Sequence, residues 1–320
     1  MPTATLTYET AQFLHALLGN DIANLRSLGE AFDVRITSRD GWLRVEGTDD
    51  GIDSTRQVLS ELEKIRRQGG EVTATMFRLV VDNARKPWSD APADRIMEFR
   101  LLGSARKAPV LAKTRGQIDY LEAMRKHEVV FGVGPAGTGK TFLAMANGLQ
   151  MIRDKTVNRI VLARPAVEAG EALGFLPGDL KEKILPYLRP LYDALYDILD
   201  SDEAEHLIER GIVEIAPLAY MRGRTLKNSF IILDEAQNTT AEQMFMLLTR
   251  LGENSRCVVT GDPSQVDLKR GMRSGLSEAL KALKNVQGIH FVEFASEDVV
   301  RLPVVRRIIE AYRIHRESGE

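Results

Sequence analysis

Apolar residues are distributed differently in two parts of this chain. Over residues 1 to about 80 they recur among polar ones in short segments. These predict, in order, a helix over 7–18, a helix over 21–32, a strand over 34–37, a turn at Arg39-Asp40-Gly41, a strand over 42–47 and a helix over 52–68. That is the order of a small α+β module. From Val129 onward the apolar residues gather into compact runs, VVFGV, RIVLA, FIIL and VV, each followed by glycine, charge or hydroxyl groups. Such runs predict buried strands of an open α/β sheet, with chemistry at their carboxyl ends.

Between these parts the chain turns polar and proline-bearing, with Pro87, Pro92 and Pro109 and the run RKAP at 106–109, which predicts a linker over 81–113. Glycines and a proline interrupt GEALGFLPG at 170–178 and predict an exposed loop carrying Phe175, closely followed by Lys181, Lys183 and Arg189. An aromatic beside basic residues suits nucleic acid, and it suits a subunit interface equally. Residues 301–316 place five arginines against one acid, Glu310, with apolar residues on the other side, the spacing of a basic amphipathic helix.

The run at Val129 leads into GPAGTGKT, which fits G-x-x-x-x-G-K-[ST]. Gly134, Pro135, Ala136, Gly137, Thr138, Gly139, Lys140 and Thr141 are therefore expected to surround phosphates. Backbone N–H groups form the cradle, Lys140 reaches the β and γ phosphates and the Thr141 hydroxyl meets Mg²⁺. Upstream, a short helix over 116–126 presents Gln117 with Tyr120 and Leu121 on one side; the glutamine amide can both donate to and accept from adenine. FIIL ends in Asp234, suited to a Mg²⁺-bound water, and Glu235, suited to polarising an attacking water. Thr239-Thr240-Ala241-Glu242 reads as a capping box for the next helix, whose Met244, Leu247, Leu248 and Leu251 recur at i, i+3, i+4 and i+7. After VVTGD, Thr260 or Asp262 can hold the catalytic water, and Gln265 can hydrogen-bond the γ phosphate and register its loss.

Composition removes several other classes. The single cysteine, Cys257, lies in an apolar run and excludes a disulfide framework, and five scattered histidines lack zinc spacing. No apolar run reaches membrane-spanning length and the first residues lack the pattern of a secretion signal, so a cytoplasmic protein without membrane contact is expected. A net charge of −2 neither demands nor forbids nucleic acid. In the first module, Asn20, Arg39 and Arg44 can face a ligand, and they suit the solvated surface of a scaffold or assembly domain equally.

Together, GPAGTGKT, ILDEAQN, TGDPSQVDL and AYMRGRTL at 219–226 resemble the PhoH-like ATPases, relatives of superfamily 1 helicases, and the resemblance covers essentially the whole chain. It implies an α/β fold: a small N-terminal α+β KH-like domain over 1–80, then a single RecA-like P-loop ATPase domain over 114–320 that ends in the basic helix. It implies ATP and Mg²⁺ as cofactors, adenine contact by Gln117, hydrolysis roles for Asp234 and Glu235 and γ-phosphate sensing by Gln265. It also implies single-stranded or structured RNA as partner, RNA helicase or remodelling activity in ribosomal RNA maturation, and partnership with an endoribonuclease. Two departures stand out. The first module has no GXXG, the loop with which a KH domain clamps RNA, and Leu302 stands where the family usually shows histidine.

Only residues 266–320 follow Gln265, too few for the second RecA-like domain of a helicase. The missing face is expected from a neighbouring copy, in a ring-like homo-oligomer, a hexamer, with an arginine supplied in trans. Arg222, Arg224, Arg301 and Arg306 are the candidates, with Arg224 and Arg301 favoured. Phe175, Lys181, Lys183, Arg222 and Arg224 form the expected RNA-contact set. A small-molecule or protein kinase, or a nucleotide-gated scaffold, is the competing class; a kinase needs an acceptor pocket that no motif marks.

Overall fold

The computed structural model describes residues 2–67, 72–85, 99, 101, 107, 109–165, 180–269 and 271–300, with residues 304, 305, 308, 311, 312 and 315 near the end. Its contacts divide the chain into two units: residues 1–100 with 111–113, and residues 101–110 with 114–320.

In the first unit, β1 (Thr3–Thr7), β2 (Arg35–Arg39) and β3 (Trp42–Glu46) form an antiparallel sheet in the order β1-β3-β2. Helices α1 (Ala11–Leu17), α2 (Ala23–Phe32), α3 (Asp49–Arg67) and α4 (Ala74–Arg85) complete the unit. The expected helix over 7–18 is present but shorter, Ala11–Leu17, and strand β1 precedes it up to Thr7. Thr10 caps α1 by accepting from the Phe13 N–H at 3.0 Å, so residues before it are left to the sheet. The TATLT strand escapes sequence reading because only Ala4 and Leu6 carry its apolar period. Helix α3 buries Ile52, Thr55, Val58, Leu59, Leu62 and Ile65 along one stripe, and acids in its first turn and bases in its last oppose the helix dipole favourably.

The sheet of this unit has one buried and one open face. Ala4, Leu43 and Val45 point inward. Thr3, Thr5, Thr7, Arg35, Thr37, Arg39 and Arg44 are exposed, with Trp42 and Glu46 half-buried among them. Register aligns Thr7, Trp42 and Arg39 in one row and Thr5, Arg44 and Thr37 in the next.

The second unit holds a parallel sheet whose six described strands run in the order β6-β5-β7-β8-β4-β9. They are β4 (Val129–Val133), β5 (Arg159–Arg164), β6 (Val213–Pro217), β7 (Ser229–Leu233), β8 (Arg256–Gly261) and β9 (Ile289–Glu293). Edge strand β6, VEIAP, lacks an unbroken apolar run and escapes sequence reading. Every residue of β4 and β7 is buried, as expected where both faces of a parallel sheet are covered. On one face Phe131, Val161, Ile231 and Val259 pack with Met244 and Leu247 of α9 (Ala241–Leu248) and Leu276 of α10 (Gly275–Ala282). The other face meets α5 (Arg115–Lys126) and α6 (Lys140–Arg153). Contact there is close: a Cβ on Gly132 of β4 would lie 2.7 Å from the Tyr120 ring of α5, so only glycine admits that ring.

Helix α7 (Leu180–Ile198) carries Pro186 and Pro190 and is followed by α8 (Ser201–Glu209). The capping box of α9 is one residue later than expected. Thr240 and Gln243 exchange its two bonds, at 3.3 and 3.0 Å, while Thr239 turns inward and donates to Ala236 O at 2.7 Å. Both threonines have the right chemistry, and burial of Thr239 decides between them. The expected loop at 170–178, and most of the expected linker, lie outside the described residues. Among the described residues no helix is long and apolar enough to cross a membrane.

Candidate phosphate-binding site

The carboxyl ends of β4, β5, β7 and β8 converge on a cavity of about 520 Å³, lined by the phosphate loop and by Arg164, Asp234, Glu235, Asp262 and Gln265. This is where an open α/β sheet places its ligand. Strand β8 lies between β4 and β7, so Thr260 at its end can join groups from both neighbours.

The loop leaves β4 at Gly134 and enters α6 at Gly139, which has φ 80° and forms the N-cap. Gly137, Gly139, Lys140 and Thr141 line the cavity at this helix start, a place where an anion is stabilised. Lys140 Nζ donates to Gly134 O at 2.7 Å and to Pro135 O at 2.8 Å. Burial lowers its pKa, and the carboxylates of Asp262, Asp234 and Glu235 act in the opposite sense, keeping a cation favourable. Gln117 is buried beneath the loop and donates from Nε2 to Thr138 O at 2.9 Å, so part of its amide supports the loop itself. The loop is also tied to the chain beyond β9, since Val300 N–H donates to Gly137 O at 2.9 Å.

Thr141, Asp234 and Thr260 form one cluster. The Thr141 hydroxyl donates to Asp234 Oδ1 at 2.6 Å, and the Thr260 hydroxyl donates to the same oxygen at 2.9 Å. The next residue, Glu235, has φ 53° and ψ 40°. A left-handed non-glycine residue costs about 1–3 kcal/mol and persists only where its surroundings enforce it. Gln237 is part of that enforcement: its Nε2 donates to Glu235 Oε2 at 2.5 Å while its Oε1 accepts from Asp262 N–H at 3.1 Å. A side chain almost wholly buried thus connects the ends of β7 and β8. Gln265 Nε2 donates to Asp262 Oδ2 at 2.8 Å, which places the expected γ-phosphate sensor at the cavity with its amide on an acid.

Sequence reading missed Gln237 and Arg164, as it did Asp193 and Asp197 of the cavity lining. Gln237 lies within the quoted DEAQ motif, but its partners come from two strands. Arg164 ends the RIVLAR strand; its Nη1 lies 3.6 Å from Asp234 Oδ2 and its Nη2 3.6 Å from Glu235 Oε1. An arginine directly after an apolar strand was the available signal.

The remaining expected residues are elsewhere. Arg224 is committed to Glu214 of β6: Nη1 and Nη2 donate to the two carboxylate oxygens at 2.6 and 2.7 Å, holding the Glu214 pKa below its ordinary value. Arg222 is exposed, as is Tyr220 nearby. Phe175, Arg301, Arg306 and the side chains of Lys181 and Lys183 lie outside the described residues. In the first unit Asn20 closes the turn after α1 with φ 58°, Arg39 lies 3.3 Å from Asp40 and Arg44 2.9 Å from Glu46, both on the open face. Cys257 is buried, which pushes its thiol pKa up to about 12 and makes it inert.

Residues 109–313 match the family model described as PhoH-like protein. A PhoH-like protein of Bacillus subtilis (strain 168) is 46% identical over 297 residues, covering 93% of each chain. One of Mycobacterium tuberculosis (strain ATCC 25618 / H37Rv) is 47% identical over 303 residues, 95% of this chain and 86% of that one. Protein PhoH of Escherichia coli (strain K12) is 46% identical over 217 residues, 66% of this chain and 61% of its own.

Proposed function

The chain belongs to the PhoH-like family, and on that premise we propose that it is a Mg²⁺-dependent ATPase acting on RNA. Family membership and the P-loop-like sheet support nucleotide binding. The observation that carries hydrolysis is the Thr141–Asp234–Thr260 cluster beside a strained Glu235, at the mouth of the phosphate loop. Hard oxygen donors, one hydroxyl and one carboxylate, fit Mg²⁺, which characteristically takes one or two carboxylates together with substrate phosphates. Thr141 and Asp234 would hold it, and when bound it neutralises charge on the β and γ oxygens. Lys140 and the loop N–H groups bind and orient the triphosphate. Glu235, fixed by Gln237, accepts the proton of the attacking water, and Gln265 reads the terminal phosphate.

The test separates binding from chemistry. Lys140→Ala is expected to lose Mg-ATP binding and phosphate release together, whereas Glu235→Gln keeps binding and loses release. Identical phosphate release by wild type and Lys140→Ala would sink the reading.

RNA contact is supported by the open face of the N-terminal sheet, where half-buried Trp42 stands in a row with Arg39 and beside Arg44, and Arg35 adds a third cation. An aromatic platform flanked by arginines suits an unpaired strand, through base stacking and phosphate contact. Arg222 and the expected contacts Phe175, Lys181 and Lys183 extend this reading to the second unit. KH-likeness of the first unit, remodelling of ribosomal RNA precursors, an endoribonuclease partner and a hexameric ring are parts of the same proposal. Arg224 and Arg301 keep their place as trans candidates, but Arg224 would first have to leave Glu214. RNA that neither binds at low salt nor changes ATP turnover would remove the RNA part and leave the ATPase part standing.

A further inference from the structure

The cavity at the strand ends is strongly acidic. Asp234, Glu235 and Asp262 line it from β7 and β8, and Asp193 and Asp197 of α7 line it from across. Among the described residues two cations line the same cavity, and they differ in how they are held. Lys140 is buried, with its ammonium hydrogen-bonded to its own loop. Arg164 is 21% exposed and touches Asp234 and Glu235 only at 3.6 Å, beyond hydrogen-bond length. Among the described residues no hydrogen bond fixes its guanidinium. Arg224, by contrast, spends its fork on a bidentate pair with Glu214. An arginine that balances two carboxylates at charge-contact range, with its donors uncommitted, can turn to a stronger bidentate acceptor, and a terminal phosphate is one.

The geometry points to Arg164 as an in-cis arginine for the γ phosphate of ATP: it neutralises Asp234 and Glu235 in the free chain and transfers its fork to the terminal phosphate when the nucleotide binds. This rests on the ATPase reading of the same cavity. In hydrolysis the water oxygen bonds to the γ phosphorus while the bond from that phosphorus to its bridging oxygen breaks. That bond's electron pair leaves on ADP, and the water proton passes to Glu235 and then to solvent. Arg164 stabilises charge on the non-bridging oxygens throughout and forms no covalent bond. Its departure from Glu235 also frees that carboxylate to take the proton. The site thereby has its own phosphoryl-stabilising cation, on the chain that binds the nucleotide.

The full chain is tested with Arg164→Ala and Arg164→Lys, by equilibrium binding of Mg-ADP and of Mg²⁺ with the non-hydrolysable β,γ-imido analogue of ATP, and by single-turnover hydrolysis. Arg164→Ala should bind Mg-ADP within about twofold of wild type, bind the analogue about tenfold or more weakly, and hydrolyse about 10³-fold more slowly. Arg164→Lys, which keeps the charge and loses the planar fork, should recover part of the analogue affinity and little of the rate. Mixing Arg164→Ala with Lys140→Ala chains should restore nothing, because each site needs both residues on one chain. Equal weakening of ADP and analogue, unchanged hydrolysis, or recovery on mixing would each overturn the assignment while leaving the ATPase reading intact. A wild-type chain that binds no nucleotide overturns both.

Discussion

The two sheets of this molecule answer the problem of burial in opposite ways. In the antiparallel N-terminal sheet, inward Ala4, Leu43 and Val45 alternate with outward threonines and arginines, so a whole face remains available for contact. In the parallel sheet β4 and β7 are buried at every position, so no face is available and polar groups concentrate at the strand ends. A sheet with an open face can recognise an extended partner along its length. A sheet covered on both faces can do chemistry only at its rim, where residues from several strands meet at one point. Trp42, Arg39 and Arg44 lie on the open face; Arg164, Asp234 and Asp262 lie at the rim.

The sharpest way to break this comparison is to cut into each sheet in turn. Phe131→Ala removes a fully buried ring and should cost about 3–5 kcal/mol in chemical denaturation, whereas Thr5→Ala on the open face should stay within about 0.5 kcal/mol. Comparable costs would mean that the open face is part of a core. A smaller effect is expected for recognition. Trp42→Ala should weaken single-stranded RNA binding by about 1–3 kcal/mol with little change in unfolding midpoint, and Arg39→Ala should flatten the salt dependence. RNA affinity indifferent to both changes would separate the open face from RNA altogether.

The smallest expected effect tests the far end of the parallel sheet. His290 of β9 stacks on His127, just after α5, with ring centres 4.6 Å apart. Burial and the neighbouring His127 lower the His290 pKa, with Asp119 acting oppositely. The unfolded chain then holds the proton more tightly, so this contribution to stability is complete above the ordinary value near about 6.5 and is lost as pH falls through the lower folded value. His290→Gln should therefore reduce the fall in unfolding midpoint between about pH 7 and pH 5. A slope equal to wild type would show that the stacked pair carries no pH dependence.

Much of this site was legible from residue order because its parts are local. Gly134 to Thr141 form one turn, and their spacing alone puts the lysine and hydroxyl beside a helix start. FIILDE puts two carboxylates at a strand end for the same reason. The strand at Thr3–Thr7 was not legible, since two apolar residues in five give too weak an alternation, and its partner, the Trp42–Glu46 strand, lies far along the chain. The cap of α9 was legible in kind but displaced by one residue, because burial chose between adjacent threonines.

The sequence alone determined the glycine-rich loop before α6, the acidic strand end and the family, all of which rest on residues close together in the chain. Only the tertiary structure decided which charges meet. The order β5-β7-β8 brings Arg164 to Asp234 and Glu235 and lets Gln237 join Glu235 to Asp262, while the short helical turn after β6 leaves Arg224 on Glu214 instead. The physical reason is that an arginine looks alike wherever it stands in the chain, and its role is set by the carboxylates that the fold puts beside it.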